Sequence, residues 1–374
     1  MATSDSGLFL LVADRLKSFG YNKIQYFPMH RIRHRPGREF LILRSFLAKN
    51  RNIFFKASLL QPIYEKVMRN AHPDLHDLYS LFLRCEELPV GIPLKYFNRR
   101  EMDHLMSGDI LSCVNDRCIS NYRFIPVDEY LLISSPDREC DTDDYVYMGE
   151  DAVIFLALLK KEIDKKVGDA LEIGCGTGVL SFWLAKIADQ VTSTDINERA
   201  LEFTKVNAQI NGIRNVVTIR SDVYSNVHGK FDLIIANPPN DFLPDQYTKR
   251  VFAYGGYLGT KITEKILLGL DDHLKDNGIL FLTAVSYIGE NGADPLYDAL
   301  DRIFCGKAYS ITLKQLYYNA LKDHKEFYRQ HGISFSVRYL IKVERSSNYE
   351  MHLLPIQGYK KLIETMKIKL LDRS

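Results

Sequence analysis

At 374 residues the chain is longer than one average domain and reads as about two, while 46% hydrophobic and 26% charged residues exclude wholesale disorder. Its 49 Lys+Arg against 47 Asp+Glu leave a net charge of +2, too little for a global nucleic-acid footprint. No apolar run approaches the roughly 20 residues of a membrane helix, the opening Met-Ala-Thr-Ser-Asp-Ser lacks the basic region of a secretory signal, and six scattered cysteines without a CxxC pair argue against a disulfide framework or zinc knuckle, so a reducing cytoplasm is the simplest compartment.

Helical spacing of Leu8, Leu11, Val12, Leu16 and Phe19 opens the chain, and a second helical pattern runs from Ile63 through Leu83. Between them lies a basic stretch. Arg15 to Lys56 holds 11 Lys/Arg against Glu39 alone, densest from His30 to Arg38, and a mixed unit with short strands near Phe40 to Leu43 is the alternative to a helical one. Residues 1–95 are therefore expected to form a mostly helical substrate-recognition domain. From 96 to 145 the β-branched runs Ile110 to Val114 and Tyr130 to Ser134, broken by Asn115-Asp116 and Ser135-Pro136-Asp137, predict a strand-rich connector.

Beyond Tyr145 strands and helices alternate. A helix over Glu150 to Lys161 precedes a strand over Ala170 to Ile173, a glycine-rich turn and a helix over Val179 to Ala188. The strand Val191 to Thr194 leads to a helix over Glu198 to Asn211. Strands follow at Val216 to Arg220, Leu233 to Ala236 and Ile279 to Val285, with Ser334 to Val343 as a late strand, read as an antiparallel edge. This grammar predicts βαβ units and a Rossmann-like α/β domain over 146–345, followed by a helical tail over 346–374.

Leu171-Glu172-Ile173-Gly174-Cys175-Gly176-Thr177-Gly178 stands where a buried strand hands over to a helix, and its glycines let a ligand approach the backbone. The spacing is Gly-x-Gly-x-Gly, unlike the dinucleotide pattern. Asp195 follows Gly178 by 17 residues at the end of the next strand, where a carboxylate can accept both ribose hydroxyls of an adenosine ligand; the plainer reading is a helix N-cap, a role Asn197 can take instead. Asp222 and the Val223 N–H, after the third strand, are placed to meet an adenine edge, against the reading of an exposed loop aspartate.

Together these motifs resemble the class I S-adenosylmethionine-dependent methyltransferases over roughly Tyr145 to Glu344. The resemblance implies a seven-stranded sheet with an antiparallel hairpin, S-adenosyl-L-methionine as cofactor, and Glu172, Gly174, Gly176, Gly178, Asp195, Ile196, Asp222, Val223 and Asn237 on the cofactor side. Tyr145, Tyr147, Met148 and Glu150 fall where the family walls the methionine end, though apolar core suits the tyrosines equally.

Asn237-Pro238-Pro239-Asn240 ends the fourth sheet strand. Prolines fix the backbone and leave carbonyls available, so the Asn237 amide oxygen and the Pro238 carbonyl can converge on an NH₂ group and orient its nitrogen. A rigid strand-ending turn is the plainer reading. The motif resembles the Asn-Pro-Pro-aromatic signature of N-methyltransferases acting on planar nitrogens, including release-factor glutamine methyltransferases, and the following Tyr254-Gly255-Gly256 and Gly259 look like small-domain methyltransferases. Asn240 departs from the pattern, since it offers hydrogen bonds where an aromatic would stack. Phe242 or Tyr247 is a candidate displaced wall.

Among the remaining candidates, Asp241 or Glu150 is placed to take a proton from an amine, and Tyr254 to Gly259 reads as a lid or a packing turn. Cys175 reads as a space-filler. His273, His324 and His331 lack ligand spacing, so no metal is expected. The leading reading is an N-methyltransferase acting on a small molecule or a protein side-chain amide, amine or guanidine. RNA or DNA amino methylation through the basic N-terminal unit is the alternative. A non-catalytic cofactor-fold module and a nicotinamide dehydrogenase rank below both, and oligomeric state is not encoded in any motif.

Overall fold

The computed structural model describes residues 6–23, 69–70, 72–319, 321 and 324–355. Their contacts divide into two units, one drawn from 1–165, 175–187 and 197–218 and the other from 166–174, 188–196 and 219–374. The two interleave along the chain instead of meeting at single boundaries near 95, 145 and 345. The basic cluster His30 to Arg38, the expected strands near Phe40 and the end of the tail lie outside the described residues.

In the first unit, helix Ser6–Ser18 buries Phe9, Val12, Ala13 and Leu16, the stripe its periodicity requires. The pattern ending at Leu83 is broken by Pro73, which starts the short helix Pro73–Leu78, followed by a π-helical turn Tyr79–Leu83. Helix Arg99–Ser107 begins on a capping box: Asn98 accepts from the Glu101 amide and Glu101 accepts from the Asn98 amide. Strands Leu111–Val114 and Arg117–Ser120 meet across Asn115 and Asp116, both at positive φ (50° and 60°), the conformation a two-residue hairpin demands. That turn fixes the register, setting Cys113 opposite Cys118 with Cα atoms 4.1 Å apart, and the two form a disulfide. The sequence reading expected none, because pairing across a hairpin depends on register and not on a cysteine motif. A second hairpin joins Arg123–Val127 to Tyr130–Ser134, both buried throughout. Helices Glu150–Glu162, Val179–Leu184 and Glu198–Ile210 complete this unit.

The sheet has eight strands: β1 Val167–Ile173, β2 Ala188–Asp195, β3 Val216–Arg220, β4 Phe231–Ala236, β5 Leu274–Gly289, β6 Tyr309–Asn319, β7 Ile333–Arg345 and β8 Glu350–Leu354. Their order is β8-β6-β7-β5-β4-β1-β2-β3. The fold is α/β and Rossmann-like, as expected, with β1, β2, β4 and β5 running parallel. Three details correct the sequence reading. β7 is antiparallel to both β5 and β6 and lies between them, an interior strand instead of an edge. Residues 350–354 add an eighth strand, parallel to β6, where a helical tail was expected. The helix after the glycine turn stops at Leu184, so Ala188 opens β2.

Burial follows position in the sheet. β4 is apolar along most of its length and buried on both faces, as a central parallel strand must be, whereas β3 is only partly covered at the edge. Leu171, Ile234, Leu280, Leu282, Ile311 and Ile341 lie in one core cluster of this unit together with Leu296 and Leu300 of helix Pro295–Phe304. Asp294 caps that helix, accepting from the Leu296 and Tyr297 amides.

Candidate active site

Strand register brings the predicted residues of the second unit to one edge. Ile173 pairs with Thr194 of β2 and with Ala236 of β4, so the next residue on each strand, Gly174, Asp195 and Asn237, stands at the same level. With strands about 4.8 Å apart, Asp195 and Asn237 sit about 10 Å from each other across Gly174. The Gly174 N–H donates to the Thr194 carbonyl at 2.8 Å, and the Ser221 N–H donates to the Asp195 carbonyl at 3.0 Å. These bonds hold the ends of β1, β2 and β3 together. Gly174 lies at φ 76°, and nothing comes within 4 Å of where its Cβ would be. Helix Glu198–Ile210 is capped by Asn197, which accepts from the Arg199 N–H at 3.0 Å, so Asp195 is not its cap. Ile196 leaves its apolar side chain 49% exposed beside Asp195.

The remaining cofactor-side candidates are placed less evenly. Glu172 is buried on β1. Asp222 forms an ion pair with Lys265, and Val223, at φ 56°, is buried in the core while its carbonyl accepts from the Ser221 hydroxyl. In the first unit, Gly176 and Gly178 also have positive φ, 53° and 84°. A Cβ at Gly178 would meet the Phe182 ring at 2.7 Å and Thr204 at 3.0 Å, so this glycine serves packing. The Thr204 hydroxyl reaches the Gly176 carbonyl at 3.1 Å and buried Cys175 at 3.4 Å, which fits a space-filling thiol. Tyr145 and Met148 are core residues.

Asn237 accepts a hydrogen bond on its amide oxygen from the buried Thr283 hydroxyl of β5. That contact fixes the amide plane. Asn240 is 5% exposed and donates through Nδ2 to the Pro238 carbonyl at 3.0 Å. Its side chain thus braces the motif from inside and does not offer itself to a ligand. Cβ atoms at Gly255 and Gly259 would come within 2.6 Å of the Asn240 Cα and 2.3 Å of its carbonyl oxygen, so glycine at both positions lets the loop close on the backbone of the motif. Asp241 pairs with Tyr254 in a bridge that anchors this loop.

Of the two proposed aromatic replacements, Phe242 is buried among Tyr287, Phe327 and Tyr328. Its N–H donates to the Tyr287 hydroxyl at 3.0 Å and its carbonyl accepts from the Tyr328 hydroxyl at 2.8 Å. Burial, with the charge of Asp241 adding, pushes the Tyr287 phenol well above its ordinary range, so it stays a neutral hydroxyl. Tyr247 packs against Arg250 and His324.

Residues 150–304 match the family model for the methyltransferase small domain. A Methanocaldococcus jannaschii protein bearing the name protein N5-glutamine methyltransferase is 36% identical over 149 residues, which cover 38% of this chain and 73% of the relative. The chain belongs to the small-domain family of class I S-adenosylmethionine-dependent methyltransferases. The ribosomal RNA small subunit methyltransferase C of Sodalis glossinidius is 35% identical over 139 residues, 37% of this methyltransferase and 34% of that enzyme, so the chain spans about a third of that relative. Among solved structures, the ribosomal protein L11 methylase of Lactobacillus delbrueckii subsp. bulgaricus is 22% identical, covering 53% of this chain and 81% of its own, with a TM-score of 0.35.

Thr283 and Tyr287 escaped the sequence reading. Thr283 acts on Asn237, 46 residues away, and Tyr287 on Phe242, 45 residues away, and only the β4–β5 register and the folded-back loop reveal the pairing. Among the described residues no group of His, Cys, Asp and Glu could hold a metal ion, and no helix is long and apolar enough to cross a membrane.

Proposed function

We propose that this methyltransferase transfers the methyl of S-adenosyl-L-methionine to a planar side-chain nitrogen, with a protein amide as the favoured acceptor. The observation that carries the reading is the alignment of Gly174, Asp195 and Asn237 at one strand level, with Asn237 oriented by Thr283. The open space over Gly174, the carboxylate of Asp195 and the exposed apolar side of Ile196 fit an adenosine group, with Asp222 and Val223 further along the same edge. Chain continuity puts Gly176 and Gly178 two and four residues beyond Gly174. When bound, the sulfonium supplies an already activated methyl group.

The protein's own part is orientation. The Asn237 amide oxygen accepts one hydrogen of an NH₂ group, and the Pro238 carbonyl, which also accepts from Asn240, accepts the other. An amide nitrogen held this way directs its lone pair along one line, the condition under which proximity accelerates a displacement. Prolines 238 and 239 keep both acceptors fixed.

Calorimetry with S-adenosylmethionine and with its demethylated product tests the cofactor site, and methyl transfer to a glutamine-bearing peptide tests the acceptor. Asp195→Ala is expected to weaken cofactor binding by roughly tenfold or more, the cost of losing hydrogen bonds to a charged group. Asn237→Ala is expected to leave that binding intact and lower kcat about a hundredfold. No heat with either compound would end the reading. The basic stretch from Arg15 to Lys56 supports a second reading, RNA amino methylation, in which affinity for RNA falls steeply as salt is raised.

A further inference from the structure

β5 does not stop where β4 stops. Ala236, the last residue of β4, pairs with Leu282, and β5 continues for seven more residues, still paired with β7 as far as Gly289 and Ile333. This projecting pair and the loop from Gly255 to Gly259 enclose a groove of about 390 Å³. Tyr257, Tyr287, Glu290, Asn291 and His331 supply its polar and aromatic lining. At about 3.3 Å per strand residue the groove begins roughly 13 Å beyond Asn237 and extends to about 20 Å.

Two observations tie the groove to the acceptor motif. Gly255 and Gly259 press against the Asn240 backbone with no room for a Cβ, and Tyr287 holds the Phe242 N–H. The same loop presents Tyr257 at 66% exposure, edge-on to Phe242 at 5.3 Å, with Leu258 in the left-handed region at φ 51°. An exposed aromatic carried on a strained loop is where binding determinants collect. Among the described residues the lining carries no lysine or arginine, and its carboxylate is Glu290. The His331 Nδ1 faces the Phe327 carbonyl at 2.8 Å, a contact that makes Nε2 an acceptor in the neutral ring. Acceptors, one carboxylate and aromatic faces repel a phosphate backbone and suit a cationic side chain.

We infer that this groove is a distal subsite for a polypeptide substrate. It takes a basic side chain of an extended segment about five or six residues from the methylated residue, against Glu290 and the face of Tyr257. The inference rests on the reading that Asn237 presents the acceptor nitrogen, and it replaces a small molecule with a protein.

The test uses the full-length protein and dye-labelled peptides of about 13 residues, Gly/Ser in sequence, with a central glutamine and one arginine moved outward along the chain. Fluorescence anisotropy should show arginine at the fifth or sixth position binding about threefold to tenfold more tightly than arginine beside the glutamine. Glu290→Lys should erase that preference, Tyr257→Ala should weaken it, and both should leave the heat of cofactor binding unchanged. A flat positional profile, or one indifferent to Glu290→Lys, overturns the inference. So does a single-stranded RNA of similar length that binds where the peptides do not. Methylation without dependence on Glu290 removes the subsite and keeps the proposed reaction, whereas position-dependent binding without methylation does the reverse.

Discussion

Asn240 shows how one side chain settles the character of a site. The family pattern places an aromatic there, and its absence reads from sequence as a polar contact offered to substrate. Folded, the amide donates to the Pro238 carbonyl and the side chain is buried, 5% exposed, in a setting matched to an asparagine. Asn240→Tyr should therefore not restore an aromatic wall. Overpacking is expected to cost about 1–3 kcal/mol, visible as a lower urea midpoint. Gly259→Ala should be destabilising for the same reason, with a positive φ of 73° adding to the collision. Rescue of base stacking by the tyrosine variant would contradict this account.

Among elements, the helix Glu198–Ile210 does more than cover apolar surface. Asn207 accepts from the Ile133 N–H at 2.7 Å and donates to the Ile133 and Thr177 carbonyls, both at 3.0 Å. Asn211, just past its end, accepts from the Leu131 N–H at 3.0 Å and donates to its carbonyl at 2.9 Å. Two asparagines thus take the place of a neighbouring strand along Tyr130–Ser134, satisfying backbone groups that burial would otherwise leave orphaned. Because Thr177 belongs to the glycine-rich turn, the same side chain also steadies that loop. Asn207→Leu should lower stability by about 3 kcal/mol, three buried partners being left unmatched, and equilibrium unfolding in urea measures it. A change within about 0.5 kcal/mol would show that water replaces the amide.

On the scale of the molecule, ion pairs tie strands at the end of the sheet opposite the candidate site. Asp271 meets Lys307, the Tyr309 hydroxyl and Arg345, bringing together the starts of β5 and β6 and the end of β7. The Lys307 hydrogen bond, against partial burial and aided by Tyr309, holds the Asp271 carboxyl below its ordinary range. A carboxylate whose folded value is depressed adds stability above its unfolded value of about 4, and that contribution disappears as pH falls through the folded value. Urea midpoints should fall as pH drops below about 4, and Asp271→Asn should flatten the decline. An unchanged slope would assign acid sensitivity to other carboxylates.

The sequence by itself determined the α/β alternation, the glycine-rich turn, the strand-end positions of Asp195 and Asn237, and membership in a methyltransferase family. Those features are local: periodicity, strand ends and short motifs need only neighbouring residues to be recognised. What the tertiary structure decided depends on register. It moved β7 from the edge to the interior, added β8, paired Cys113 with Cys118, set Thr283 against Asn237, and turned Asn240 inward. Hydrogen-bonded strands fix which distant residues share a level, and no pattern within a single strand carries that information.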